Sequence, residues 1–310
     1  MKPYDTTIDT VKLQLDLPTS EQQHYVLTKL IDYVNKYYFV KYTDFVNEMT
    51  GQVTRTFFIY YNNTYICSLY TGIYKTYNKN KMPIYTYYIS MKLAGLKRYK
   101  NDIDNASNDC LLRLCAFLNS NYLVFKITQL DIAIDVYAPF DNIVAVCTKR
   151  TPNTNYFSLL EQQIFEQTRY VENIAYEKLN KVSKYAYVYD KAHKEGLTIN
   201  LTRFELSLKP KFFIKHEVDI NIIANALDRY HIMYFPTIQE KQSRIDAYES
   251  YPNLRYRDIK KVGFEAYRLY PNLIYINNFL EQMHNINLFD FEDGLKPENY
   301  LNIEQMEYNK

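Results

Sequence analysis

The chain has no tryptophan, six glycines and four cysteines in 310 residues. Cys67, Cys110, Cys115 and Cys147 form no Cys-x-x-Cys and no paired ligand spacing, so neither a zinc finger nor a redox dithiol is indicated. Reduced, mostly buried thiols are expected, as in the cytoplasm. The five histidines, His24, His193, His216, His231 and His284, never form His-x-His, which excludes the common two-histidine metal site. No run approaches the roughly 18 apolar residues of a membrane span. The opening Met1-Lys2-Pro3-Tyr4-Asp5 leads into a polar stretch without the pattern of a signal peptide. Charge of one sign is also missing. Against 37 basic side chains stand 35 acidic ones, a formal net charge of +2. A nucleic-acid ligand would therefore need positive charge gathered on one face.

What the chain does have is tyrosine, 34 of them, beside 17 phenylalanines. Such a count suggests base-stacking platforms. Composition alone favours a plainer reading, because Tyr, Asn, Ile, Lys and Phe share AT-rich codons and Tyr packs well on half-buried strands.

Periodicity gives the organisation. Ile8 to Leu17 alternates as a strand with Val11, Leu13, Leu15 and Leu17 on one face. Pro18-Thr19-Ser20 opens a helix to about Lys36, with Ser20 and Gln23 spaced as a capping box. Strands over Arg55–Tyr61 and Thr64–Tyr70 flank an Asn62-Asn63 turn. A further strand spans Ile84–Leu93, a helix Asn108–Asn119, and the clearest strand Leu123–Tyr137. A short helix is expected around Asn142–Thr148, then strands at Lys184–Asp190 and Thr202–Lys209 joined near Gly196. From Asn221 to about Asn285 the pattern reads as mostly helical, and the acidic last 20 or so residues as a loose tail. These elements predict an α+β fold: an antiparallel central sheet with an acidic face, packed by helices, followed by a mostly helical C-terminal region. A catalytic region over 1–215 and a helical region over 216–310 are expected.

Three segments carry chemistry. In Gln129-Leu130-Asp131-Ile132-Ala133-Ile134-Asp135, strand alternation puts Leu130, Ile132 and Ile134 into a core and both aspartates on the other face. In Thr202-Arg203-Phe204-Glu205-Leu206-Ser207-Leu208, Phe204, Leu206 and Leu208 are buried while Arg203, Glu205 and Ser207 share the opposite face. If the two strands are neighbours, Asp131, Asp135 and Glu205 converge into an oxygen site suited to Mg²⁺ or Mn²⁺. Lys184 to Lys191 places Tyr185, Tyr187 and Tyr189 on one face, and a tyrosine beside a metal-bound phosphate is a potential covalent nucleophile. Lys191 would stabilise the phenolate or the phosphate. Taken singly, an Asp-x-x-x-Asp strand, an Arg-x-Glu pair or a tyrosine-rich strand more often reflects packing or a surface ion pair.

The order Leu-Asp-Ile-Ala-Ile-Asp, then Tyr-x-Tyr-Asp-Lys, then Arg-Phe-Glu-Leu-Ser-Leu-Lys-Pro-Lys resembles rolling-circle replication initiators that lack a His-hydrophobe-His motif. Similar are the Rep proteins of staphylococcal-type plasmids with related conjugation relaxases, and the filamentous-phage gene II/X replication proteins. Ile8-Asp9-Thr10-Val11-Lys12-Leu13 and Gly95-Leu96-Lys97-Arg98-Tyr99 look like the phage group, and the resemblance covers about residues 8–215. It implies a DNA-nicking enzyme with Asp131, Asp135 and Glu205 as metal residues, Tyr189 as nucleophile with Tyr187 in reserve, and Lys191 and Arg203 facing phosphate. Where the plasmid group often has a Gly-Ser pair and an extra Arg, Asn180-Lys181-Val182-Ser183-Lys184 stands here. The implied partners are origin DNA, single-stranded or extruded, with a host helicase, a polymerase and a second copy of the chain as further candidates. No membrane partner is expected.

Two other readings use the same residues: a metal enzyme, nuclease or primase-like, that activates water, and a non-catalytic DNA-binding protein. Arg244, Arg255, Arg257, Lys260, Lys261 and Arg268, interleaved with Tyr248, Tyr251, Tyr256, Tyr267 and Tyr270, read equally as an origin-binding helix set or a solvated face.

Overall fold

The computed structural model describes residues 4–46, 53–61, 63–94, 117, 125–147, 163–165, 167–171, 179, 181–214, 219–250 and 263–285. The chain divides into two units, one of residues 9–130 and 281–310, the other of residues 1–8 and 131–280. Strands β1 (Tyr4–Leu17) and β6 (Lys126–Val136) have residues in both.

The first unit also holds α1 (Ser20–Tyr37), β2 (Phe39–Val46), β3 (Val53–Tyr61), β4 (Thr64–Tyr77) and β5 (Pro83–Ala94), with strand order β2-β3-β4-β5-β1-β6. The pairings β2–β3, β3–β4, β4–β5 and β5–β1 are antiparallel. The expected alternation of β1 holds: Val11, Leu13, Leu15 and Leu17 are buried, with Ile89, Met91 and Leu93 of β5 on the same face. Helix α1 packs against β5 and β2 and buries Val26, Leu30 and Val34. Its cap is Thr19 rather than Ser20: the Thr19 hydroxyl accepts from the Gln22 N–H at 3.2 Å. Gln23 therefore makes no capping box. Its side-chain amide instead donates to the carbonyls of Gly72 (2.9 Å) and Tyr88 (2.7 Å), tying the helix to β4 and β5.

The expected hairpin turn is present. Asn63 takes the left-handed conformation (φ 63°), which a short polar side chain tolerates better than most. Strand β4 runs on to Tyr77, and β2 is an edge strand that the sequence reading did not separate out. The helix expected over Asn108–Asn119 and the acidic tail lie outside the described residues, apart from Phe117.

The second unit holds the strands β7 (Ile143–Cys147), β8 (Gln163–Phe165), β9 (Thr168–Tyr170), β10 (Lys184–Asp190) and β11 (Thr202–Leu208), with helices from Lys191 onward. These are α2 (Lys191–Glu195), α3 (Pro210–Phe213), α4 (Ile220–Leu227), α5 (Ile238–Glu249) and the start of α6 (Leu273–Asn285). Strand order is β6-β11-β10-β9-β8. A separate three-stranded sheet joins β7 to β12 (Tyr230–Tyr234) and β13 (Arg268–Leu269). The architecture is α+β, helices packed on antiparallel sheet, as the sequence predicts.

Two expectations fail in detail. The segment around Asn142–Thr148 is not a helix: a 3₁₀ turn over Phe140–Asn142 leads into β7. Ile143, Val144, Ala145 and Val146 are all buried, and a short apolar run buried on both faces has no period to separate strand from helix. The mostly helical stretch after Asn221 is likewise broken by β12 and β13. Strand β12 pairs antiparallel with β7, and Val144, Val146, Met233, Phe235, Tyr248 and Phe264 form the small core of this sheet.

Gly72 has a specific reason to be glycine. It lies directly across from Tyr88, whose ring occupies the space above it, and a Cβ there would meet the ring at 2.2 Å. Tyr70 and Tyr74 contact the Tyr88 ring and resist its displacement. Gly72→Ala is expected to lower stability by about 1–3 kcal/mol, as overpacking does. Urea unfolding checks this, and an unchanged midpoint would show that the ring moves aside freely.

Candidate active site

The register of three strands builds the site. Strand β10 lies antiparallel to β11 with Tyr185 opposite Ser207, Tyr187 opposite Glu205 and Tyr189 opposite Arg203. On the other side of β11, Arg203 reaches Asp135 and Ser207 reaches Asp131. Rising numbers on β6 thus meet falling numbers on β11, and the same step sets Glu205 beside Ala133. The result is three cross-strand rows: Tyr185–Ser207–Asp131, Tyr187–Glu205–Ala133 and Tyr189–Arg203–Asp135. The opposite face is the core expected of it, with Leu130, Ile132, Ile134, Phe204, Leu206 and Leu208 all at 0% exposure.

The polar face is buried as well. Asp131, Asp135, Arg203, Glu205 and Ser207 are each 5% exposed or less, and Tyr189 is 8% exposed. Charges removed from water must be paired. Asp135 accepts a forked pair from Arg203, Nε to Oδ1 at 2.6 Å and a terminal nitrogen to Oδ2 at 2.8 Å. Lys191 Nζ adds a contact to Oδ2 at 3.3 Å. Burial opposes charge on Asp135, but the Arg203 fork and Lys191 outweigh it and hold the carboxyl below the ordinary aspartate range. Asp131 accepts from the Ser207 hydroxyl at 2.6 Å. Glu205 accepts from two tyrosines, a short contact from Tyr187 to Oε1 and one from Tyr189 to Oε2 at 3.4 Å.

The tyrosines differ. Tyr187 is pushed far above the usual phenol value, first by burial and then by the neighbouring charges of Glu205 and Asp131. Tyr185 is raised to about 12, again chiefly by burial. Tyr187 stacks on Tyr189 with ring centroids 5.9 Å apart. Above the Tyr189 ring sits Lys194 Nζ, 4.6 Å from its centroid. Lys194 belongs to α2, which Asp190 caps by accepting from the His193 N–H at 2.9 Å and which Gly196 ends in the left-handed conformation. The strand end that carries Tyr189 is thereby fixed, with Lys191 on the first helical residue. His193 is exposed.

All seven residues singled out in the sequence, Asp131, Asp135, Tyr187, Tyr189, Lys191, Arg203 and Glu205, thus belong to one cluster. Ser207 and Lys194 also belong to it. Ser207 was legible as a face residue without a role; Lys194, three residues past Lys191, carried no signal. In the C-terminal set, Arg268 is paired with Asp228 at 3.0 Å and Glu265 at 3.2 Å, and Tyr248 is a core residue. Arg255, Arg257, Lys260 and Lys261 lie outside the described residues.

Among the described residues no three His, Cys, Asp or Glu side chains are grouped as ligands for one metal ion. The expected set of Asp131, Asp135 and Glu205 is therefore not gathered as one group of ligands. Asp135 is committed to two cations, whereas Asp131 and Glu205 accept from hydroxyls, which a divalent ion can displace. Asp131 and Glu205 are of the right oxygen type for Mg²⁺ or Mn²⁺; Asp135 serves Arg203.

Comparison with protein-family models and with curated proteins gives no match. Among solved structures the chain is similar to the rolling circle replication initiator protein from Geobacillus stearothermophilus, with 13% sequence identity and a TM-score of 0.34, covering 84% of this chain and 96% of that one. Among the described residues no helix is long and apolar enough to cross a membrane.

Removing Arg203 leaves Asp135 buried with Lys191 alone. Arg203→Ala is expected to cost about 3–5 kcal/mol of stability, the range for breaking a buried pair. Because the folded chain holds Asp135 below its unfolded value, its contribution is complete above about pH 4 and is lost as pH falls through the folded value. Urea unfolding from pH 7 to pH 2 should show that loss in the wild type and a smaller one in Asp135→Asn. Equal acid sensitivity in both would contradict the assignment.

Proposed function

We propose that the chain is a rolling-circle replication initiator that nicks and rejoins one strand of origin DNA, with Tyr189 as the nucleophile. The observation that supports this most is the row Tyr189–Arg203–Asp135: a buried phenol that donates to Glu205 and lies across the register from an arginine fixed by Asp135, with Lys191 on that same aspartate. A phosphodiester entering there meets the positive charge of Arg203 and Lys191, and Asp135 holds the plane of the guanidinium through its forked pair.

In the proposed step the Tyr189 oxygen attacks phosphorus while its proton passes to Glu205, the carboxylate it already faces. The P–O3′ bond breaks, and the departing oxygen takes a proton from Lys191. The products are a 5′-phosphotyrosine and a free 3′-OH, which a polymerase can extend. The phosphotyrosine keeps the ester bond energy, so a later 3′-OH reverses the attack and closes the strand. Tyr187 is the poorer nucleophile, since burial and Glu205 hold it protonated; its role is to orient Glu205. An Mg²⁺ or Mn²⁺ ion held by Asp131 would withdraw charge from a non-bridging phosphate oxygen, leaving Glu205 to accept the proton.

Tyr189→Phe removes one hydroxyl and should leave folding intact, because Tyr189 retains its ring packing on Tyr187. It should reduce nicking of a labelled origin oligonucleotide by at least about 10³-fold, the scale of losing a nucleophile, and abolish the covalent band on a denaturing gel. If the band persists in Tyr189→Phe and disappears in Tyr187→Phe, the neighbour is the nucleophile. If DNA is cut by wild type with no covalent band at all, the chain is a water-activating nuclease.

A further inference from the structure

Beyond the nicking site, and resting on that reading only for the choice of single-stranded DNA as the occupant, we propose that the polar face of the β2-β3-β4-β5-β1 sheet is a binding platform for unpaired bases. In register, Lys41 lies opposite Phe58, Phe58 opposite Ser68, Ser68 opposite Lys92, and Lys92 opposite Lys12. This is one transverse row across five strands, roughly 19 Å long at about 4.8 Å per strand. Its ends are cationic, the exposed Lys41 on one side and the half-buried Lys92 and Lys12 on the other, and between them lie the half-buried Phe58 and the small, buried Ser68.

Rings line the row on both sides. On one side Phe39, Tyr60 and Tyr65 run in contact, with centroid separations of 6.3 Å and 5.9 Å. On the other, Tyr70 contacts Tyr88 at 6.4 Å. Lys41 Nζ stands 5.5 Å from both the Phe39 and the Tyr60 rings. Phe39 is 59% exposed, and Lys41 is exposed with it. The opposite face of the same strands is aliphatic, with Ile59, Leu69, Ile89, Met91 and Leu93 buried. Codon bias sets how many tyrosines a chain has. It does not gather rings and lysines on the face away from the aliphatic core.

Charge selects the occupant. Lys12 and Lys92 are direct cross-strand partners, and like charges so placed repel. Asp16, on the same face, is already engaged by Lys126 and by the Tyr74 hydroxyl at 2.9 Å. A phosphate chain over the Lys12–Lys92 pair relieves the repulsion. Flat rings beside it offer stacking surfaces that take any base, and Lys41 reinforces them. A duplex would present phosphates but no unstacked bases, so the rings specify a single strand.

The test uses the full chain and fluorescein-labelled (dT)20, which has no origin sequence, followed by anisotropy at several salt concentrations. Wild type should bind, with affinity falling as salt rises. Tyr60→Ala should weaken binding about tenfold, within the effect of one lost base stack, while Tyr60→Phe, which keeps the ring, should bind as wild type. Lys92→Gln should weaken binding and flatten the salt dependence. A mixed-sequence duplex of the same length should be insensitive to Tyr60→Ala. Binding of (dT)20 unchanged in both Tyr60→Ala and Lys92→Gln, no binding by wild type, or equal losses on duplex and single strand would each overturn the platform. These outcomes stand whether or not the protein forms a covalent adduct, so failure of the platform and failure of the nicking reading are separately visible.

Discussion

The buried pair between Arg203 and Asp135 fixes the rest of the site. A guanidinium and a carboxylate that are both 5% exposed or less tolerate no vacancy on either side, so β6 and β11 have one workable register. A slip of one residue would turn Arg203 into the aliphatic core and bring Phe204 or Leu206 onto the polar face. With the register set, Ser207 meets Asp131 and Glu205 falls beside the small, buried Ala133. Thr202, at the end of β11, donates to the Ala138 carbonyl at 2.9 Å and closes the same alignment.

The three tyrosines of β10 then differ through their surroundings, not their chemistry. Tyr185 and Tyr187 sit where burial and nearby carboxylates make a phenolate costly. Tyr189 is at the strand end, facing Arg203 across the register and lying beneath Lys194. Both Tyr187 and Tyr189 donate to Glu205, but only Tyr189 has Lys194 over its ring and Arg203 across the register. The short α2 helix matters here because its Asp190 cap and Gly196 end hold both Lys191 and Lys194 against the strand.

Much of this was legible from alternation. Period-two patterns in 130–135 and 202–208 separated core from polar face correctly, because large apolar residues recur at every second position. The strands at 143–147 and 230–234 were not legible as such: both are buried along almost their whole length, and such a run has no alternation to read. The capping residue of α1 was misplaced by one position because Thr19 and Ser20 are chemically equivalent caps, and only backbone geometry chooses between them. The pairing of Asp135 with Arg203 was hidden for a different reason. Sequence showed three acids and one arginine on two strands but not which acid the arginine would face, and that choice distinguishes a possible metal ligand from a structural counter-ion. The sorting of aromatic rings onto one face of β2–β5 was equally invisible in composition, since it arises from cross-strand register.

The central claim is that Tyr189, beside Arg203, forms the bond to DNA. Trypsin and nuclease digestion of the adduct, followed by fragmentation mass spectrometry of the peptide Tyr185–Lys191, tests it most directly. The account predicts a 5′-phosphonucleotide on Tyr189 and unmodified Tyr185 and Tyr187. A nucleotide on either of those two, or on a peptide from elsewhere in the chain, would contradict it.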